Sequence, residues 1–479
     1  SGGLTDGATI LQLFDAGTAA EWRLTYGSTS SGGLTLTARD IDGSVLGTAG
    51  PHFAGLNGVD ARWSIGLVKS GTGVAWELVS LVPGASSGTV VSGTLASSTI
   101  GLASRVTIGA GGALGDLAIG HVSVHAEITS IFDLASELAA YDGEAAATRV
   151  VRLCGESDVP VRVRTGGGSS SPMGPQRVAT LLDLLRDCEA ADGGILHDLR
   201  DALGLRYVTR RRLYSQAACL ALDYDTPGIS SMEPTDDDQQ VRNDVTVSRT
   251  GGASARAVLQ TGDLCVLDPP DGIGRYDEST TVNVSSDAVL AWHAGWRLHL
   301  GTTDEARYPV IGLDLAASGF AAVPAATTAA RSLDIGDRLT VANPPAWVPP
   351  DAITQLVQGA QETLGVYNHD LAVNCSPESP WHVAVFGTAR YDSDQSTIAS
   401  PITSTDTSMS VGVDTVLWTT DAGSLPFDVR VAGEVMTVTA VTGATSPQTF
   451  TVTRSVNGVV KAHGAGEPVR LATPAYYGL

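Results

Sequence analysis

Lysine is almost missing: Lys69 and Lys461 are the only two in 479 residues, and the other basic side chains are arginines. With 51 acidic against 29 basic residues, the formal net charge is −22. Such a surface repels phosphate backbones and anionic headgroups, which argues against nucleic acid and membrane surfaces as partners. Cysteine is scarce and scattered. Cys154, Cys188, Cys219, Cys265 and Cys375 form no C-x-x-C pair, which speaks against a disulfide framework and a zinc site. They read as buried free thiols in a reducing cytoplasm. No apolar run approaches the ~18 residues that cross a bilayer. No signal peptide is visible and the chain starts at Ser1 without Met, so a processed or trimmed start is expected and the upstream portion is left open.

Glycine, by contrast, is abundant at 55 residues, and Thr, Ser and Val are frequent, so strands and turns should outnumber helices. A chain of this length predicts about three domains at roughly 150 residues each. Residues 1–128 read as all-β. Trp22, Leu24 and Tyr26 alternate with polar neighbours, and Leu34 to Arg39 runs into the hairpin pair Asp42-Gly43. Ala61 to Leu67 and Val74 to Val82 add two strands, Arg105 to Gly109 another, and Leu117 to His125 is expected to close the set. Short strands at this spacing predict a two-sheet sandwich. Their order resembles the concanavalin-like and laminin-G-like sandwiches, on pattern alone.

The texture changes near residue 129. Helices are predicted over Ile131 to Ala140, and in a second segment that Asp142-Gly143-Glu144 is expected to cap, with Ala147, Val150, Val151 and Cys154 on one face. A strand follows at Val159 to Val163. A further helix is expected from Pro175, with Val178, Leu181, Leu182, Leu184 and Leu185 as its apolar face, stopping at Asp192-Gly193-Gly194. A hairpin then closes on Leu205-Arg206-Tyr207-Val208-Thr209-Arg210. Asn243 to Arg249 pairs across Gly251-Gly252 with Ala255 to Leu259, and Ser286 caps a helix to Leu300. Leu333 to Val341 is a strand entered by a tight turn, with Ile353 to Leu364 as its long partner and Asp370 to Pro377 as the last strand. Pro380 to Gln395 is a connector. The remainder, 396–479, alternates as a small β module whose hairpin Phe427 to Thr439 turns at Ala432-Gly433.

These ordered elements, over roughly 129–385, resemble the hub proteins at the tail tip or baseplate of phages. Leu333-Asp334-Ile335-Gly336-Asp337-Arg338-Leu339-Thr340-Val341 is similar to the "I-G-D-x-V-x-V" strand of hub barrels, which such a long partner strand closes. The C-terminal string V-x-G-E-x-M-x-V-T (Val431 to Thr439), then T-V-T-R-x-x-N-G (Thr451 to Gly458), then A-H-x-x-G-x-x-V (Ala462 to Val469) resembles a module that recurs in phage and prophage tail proteins. One departure stands out: a sandwich occupies the place of a hub's first barrel half. The fold class expected is therefore mainly β with an α+β middle: a sandwich over 1–128, a hub-like region with a β-barrel over 129–385, and a β module over 396–479.

Candidate sites are few. Gly84-Ala85-Ser86-Ser87-Gly88 fits G-x-S-x-G, but it leads into a strand instead of a helix, so chance composition explains it. Glu21, Glu77 and Glu127 are unpaired on their strands, against a glycosidase pair. Asp40-Ile41-Asp42-Gly43 and Asp236-Asp237-Asp238 with Glu233 lack the ligand offsets of a calcium loop. His121 and His125 on one strand would stand about 13 Å apart, too far to share a metal. On the predicted 287–300 helix, Trp292 and Trp296 are expected to face the core and His293 and Arg297 water, with His299 interleaved. Arg210, Arg211 and Arg212 suit an inter-subunit salt bridge. Trp22, Trp63 and Trp76 could give a glycan-stacking platform, with core packing the better account of at least two of them.

No catalytic, cofactor-binding or metal-binding residue is therefore expected, and no enzyme activity. The resemblance implies a structural component of a phage or prophage-derived tail tip or baseplate hub. It would be a homo-oligomer, a trimer around the tail axis, contacting the distal tail ring and the tape-measure end. Its place would be the virion tail, assembled in the bacterial host cytoplasm. The alternative is a receptor-binding adhesin that recognises cell-surface glycan through the N-terminal sandwich.

Overall fold

The computed structural model describes residues 5–27, 33–53, 55, 58–82, 88–111, 119–120, 122–129, 131, 137, 139–230, 232–235, 238–387, 389–392 and 395–479. It is mainly β and divides into two compact units, Ser1–Tyr141 and Asp142–Leu479.

The first unit holds eight strands among the described residues: β1 (Thr9–Asp15), β2 (Glu21–Gly27), β3 (Gly33–Arg39), β4 (Val45–His52), β5 (Arg62–Ser70), β6 (Gly73–Leu81), β7 (Thr89–Leu95) and β8 (Ala103–Ile108). They form two sheets, ordered β4-β3-β2-β1-β8 and β5-β6-β7. Period-two alternation decides which side chains go inward. Trp22, Leu24 and Tyr26 of β2 and Leu34, Leu36 and Ala38 of β3 meet Val74 and Leu78 of β6 in one core. Two sheets over one core make a sandwich. The β3–β4 turn is the expected one, with Gly43 at φ 83° and Asp40 Oδ1 accepting from the Asp42 and Ser44 amides at 3.0 and 2.7 Å. Where a strand is expected over Leu117 to His125, residues 119–120 and 122–125 lie in none; β1, which alternates less cleanly, pairs with both β2 and β8 instead. Most of the helix expected at Ile131 to Ala140 lies outside the described residues.

In the second unit the chain runs through α1 (Ala146–Glu156), β9 (Val161–Arg164), α2 (Leu181–Asp192), β10 (Ile195–Asp198), β11 (Leu205–Val208), the single turn α3 (Arg210–Leu213), β12 (Leu220–Asp223), β13 (Asp244–Arg249), β14 (Ser254–Val258), β15 (Asp277–Val282), α4 (Leu290–Gly301), β16 (Val310–Asp314), α5 (Ser318–Ala321), α6 (Pro324–Ser332), β17 (Arg338–Ala342), β18 (Ile353–Leu364) and β19 (His369–Pro377). The helices α1, α2 and α4 cover the sheets β10-β11-β9 and β14-β13-β15 around a core that includes Val150, Leu185, Tyr207, Val245 and Leu290. The sheet β12-β17-β18-β19-β16 wraps a second core that includes Leu222, Ile311, Phe320, Leu339 and Val373. Residues 228–230, which follow β12, bond back to β16: Ser230 donates to Gly312 O at 2.9 Å and Asp314 to Gly228 O at 2.7 Å. That contact curls the sheet into a nearly closed barrel. The chain ends in a six-stranded sheet of β20 (Thr397–Ile398), β21 (Ser408–Gly412), β22 (Phe427–Val431), β23 (Glu434–Thr442), β24 (Gln448–Thr453) and β25 (Arg470–Leu471) over a third core including Val429, Met436 and Phe450.

Two helix starts differ from expectation. Helix α2 begins at Leu181, because the Thr180 hydroxyl takes the Asp183 amide at 3.3 Å and sets the cap. Val178 therefore precedes the helix, fully exposed. Helix α1 has no side-chain cap, and Glu144 instead binds Arg149 and Arg152. Val151 faces outward while Val150, Leu153 and Cys154 are buried. The β22–β23 turn has both central residues left-handed, Ala432 at φ 43° and Gly433 at φ 89°. Alanine is strained there, so Ala432→Asn should raise stability by about 0.5–1 kcal/mol in thermal denaturation.

Candidate functional site

The C-terminal string converges on one buried carboxylate. Glu434 opens β23 just after the turn and is fully buried. Arg454, just past β24, donates Nε and Nη2 to it at 2.6 and 2.8 Å. The Lys461 amide donates at 3.1 Å and His463 Nε2 lies at 2.9 Å. His463 Nδ1 faces Glu467 at 2.7 Å, so the ring sits between two carboxylates. Arg454 Nη1 also reaches the Thr403 and Asp406 carbonyl oxygens. Burial alone raises the Glu434 pKa, but the hydrogen bonds from Arg454, His463 and the Lys461 amide outweigh it and hold the group at about 2. Asn457 closes the turn, accepting from the Val435 amide and donating to Gly433 O, each at 3.0 Å. The network joins three chain segments and holds them.

The Asp-Gly-Gly and Tyr-x-x-Arg strings form a second such knot. Gly193 at φ 70° caps α2 and donates to Glu189 O. Asp192, fully buried, accepts from the Ser171 amide at 2.9 Å, the Tyr207 hydroxyl at 3.0 Å and the Arg210 amide at 3.1 Å. A Cβ at Gly194 would stand 2.5 Å from Val208 O, so only glycine lets the hairpin close onto the helix end. Tyr207→Phe removes one of three donors to a buried carboxylate. It should cost about 1–2 kcal/mol in chemical denaturation, with the fold kept.

The surface with the least explanation inside the chain is the β18–β19 arm. Strand β17 pairs with β18 only over Ile353 to Leu356, whereas β19 follows it to Leu364↔His369. A bulge between Val357 and Gly359 turns the strand away. Among the described residues no strand covers the outer edge of β18 from Gln358 to Leu364. At the tip Leu364, Val366 and Tyr367 are 69, 88 and 94% exposed. An uncapped edge carrying an apolar tip is a pairing surface.

With this geometry in view, the solved structures similar to the chain include three tail proteins. The tail protein from Neisseria meningitidis MC58 is 12% identical, with 79% of this chain and 98% of that one covered and a TM-score of 0.35. The 43 kDa tail protein of prophage MuSo2 from Shewanella oneidensis is 12% identical over 79% and 96% of the two chains, with a TM-score of 0.34. The prophage tail protein gp18 from Listeria monocytogenes EGD-e is 9% identical over 76% and 94%, with a TM-score of 0.26. No protein-family model and no curated protein matches the sequence.

The other candidates fall as follows. Trp22 is 1% exposed in the sandwich core, and Trp63 and Trp76 are half-buried against it. The three thus share one core. Glu21 is held by Gln12 and Arg23 at 2.5 and 2.8 Å. Residues 84–87 of the G-x-S-x-G match, His121, and Asp236 and Asp237 of the acidic run lie outside the described residues. Of the arginine run, Arg210 is buried against Asp192 and Ser171, and Arg212 bonds Gln216 at 2.8 Å, so both are engaged within the chain. On α4 the expected partition holds for Trp296 and fails for Trp292 and His293. Trp296 and His293 are buried while Trp292 is exposed, and Arg297 donates to Ala190 O. The reason is that the β13–β14 hairpin packs on α4 and Ala190 of α2 takes the Arg297 guanidinium, which the helical spacing alone does not reveal.

A cavity of about 710 Å³ lies between the barrel and the C-terminal sheet. Arg338, His382, Arg390 and Asp428 line it. Behind them the fully buried Glu378 stands 2.9 Å from His382 Nε2 and 3.4 Å from Arg338 Nε. The lining hydroxyls of Ser215 and Thr437 donate to Val383 O and to Asp428, and neither bonds His382. Among the described residues no cluster of His, Cys, Asp or Glu could hold a metal ion.

Proposed function

We propose that the protein is a structural component of a phage or prophage-derived tail tip, hub-like in its second unit, that works by assembly and not by catalysis. The observation that carries this reading is the β18–β19 arm. A long unpaired strand edge with an apolar tip costs solubility, and a neighbouring chain that pairs with it would remove both liabilities. The nearly closed barrel behind the arm and the two knots at Asp192 and Glu434 supply rigid supports, and both knots fall on strings that resemble tail proteins. In this reading copies join around the tail axis as a trimer, contacting the distal tail ring and the tape-measure end, and the concanavalin-like sandwich is a spacer.

Light scattering on the full chain, with imaging of the native particle, tests the proposal. The expected result is a closed oligomer, or density for the protein at the tail tip. A monomer in solution together with a tail tip that lacks the protein would end it.

A further inference from the structure

Helix α4 carries a feature that assembly does not use. Trp292 is 59% exposed on it, while Trp296, one turn on, is 5% exposed. Together with Gly295, His299 and the facing Tyr476 and Tyr477, they line a groove of about 230 Å³. The Tyr476 ring lies 4.1 Å from that of His299, whose Nε2 is 2.9 Å from Pro380 O, so this wall is fixed.

Two observations point to a ligand. Gly295 sits mid-helix, where alanine would be more favourable by about 1 kcal/mol. A Cβ there would meet nothing within 4 Å, so no packing inside the chain calls for glycine; the bare backbone leaves the groove open. Among the described residues no carboxylate, lysine or arginine side chain lines the groove; the main-chain oxygen of Leu479, which also lines it, accepts from Arg210 at 2.6 Å, and burial lowers the pKa of His299, which keeps the ring neutral at pH 7. A groove of this size, walled by aromatic faces and offering one or two polar atoms, suits a single uncharged ring with hydroxyls.

We propose that this groove binds one ring of a neutral saccharide, with Trp292 as the stacking platform. The inference is independent of the assembly reading. The full chain would be titrated with chitotriose, maltotriose and lactose, followed by tryptophan fluorescence and calorimetry. At least one sugar is expected to saturate with a dissociation constant on the order of 1 mM. Trp292→Ala and Gly295→Leu should each weaken it at least about 10-fold without moving the melting temperature. Trp292→Ala removes an exposed side chain and keeps the test valid even where Gly295→Leu misfolds. No saturation by any of the three up to about 20 mM, or equal binding by the Trp292→Ala variant, overturns the inference. So does a Trp292→Ala variant whose only change is a lower mass in solution, which would make this face a protein contact.

Discussion

Glu434→Ala is expected to open the C-terminal sheet. The substitution strands the Arg454 guanidinium, the Lys461 amide and His463 Nε2 around a space that water does not reach. Removing one partner of a buried ion pair costs about 3–5 kcal/mol, because the remaining charge stays desolvated and unpaired. Hydrogen exchange should then accelerate across β22 to β24, while the sandwich and the barrel keep their protection. Glu434→Gln is the sharper comparison. It keeps the shape but puts an amide N–H toward the guanidinium, so most of the loss should remain. If both variants melt and exchange like the parent chain, the network contributes nothing.

The same carboxylate makes the module acid-labile. Its folded pKa of about 2 lies below its ordinary value near 4.5. A depressed carboxylate stabilises the fold fully above its unfolded pKa and loses that contribution as pH falls through the folded value. The window is therefore about pH 4.5 down to 2, and the shift corresponds to about 3 kcal/mol. Protonation of Glu467, also held low by the Gly464 amide and His463, falls in the same direction. In a Glu434→Gln background the steep part of the acid transition should flatten.

Local geometry was legible where a short string sets it. The alternation of Phe427 to Thr439 and the Ala432-Gly433 turn predict the β22–β23 hairpin and its register, Val431↔Glu434. The pairing of β17 with β18 follows from two facing runs of alternating residues. What the strings could not reveal is convergence. Glu434, Arg454 and His463 lie more than a strand apart, and only the folded sheet shows that one carboxylate collects them. Helix α4 shows the complementary failure. Its spacing marks a face, but which face is covered depends on β13 and β14, and the Trp292 ring ends in solvent where hydrophobicity places it in the core. Trp22, Trp63 and Trp76 carry the same ambiguity, since an alternating tryptophan reads alike in a core and on a surface; core packing is the better account of at least two of them.

The arm supplies the second large effect. Val366→Asp with Tyr367→Asp places two charges on a tip that touches no core residue, so the fold should melt unchanged. Charge at the centre of an apolar contact should weaken association by about 100-fold or more, the scale of interface anchors. Light scattering should then report the 49.2 kDa monomer at concentrations where the parent chain assembles. The edge itself is tested separately: methylating the backbone nitrogens of alternate residues between Gln358 and Leu364, in a semisynthetic chain, blocks strand pairing without altering a side chain. Because an edge strand bonds outward only at every second residue, one of the two methylation registers should abolish assembly and leave the β18–β19 ladder intact. Assembly that survives both the charged tip and the blocked edge would show that the copies meet elsewhere, and the arm would then need another explanation.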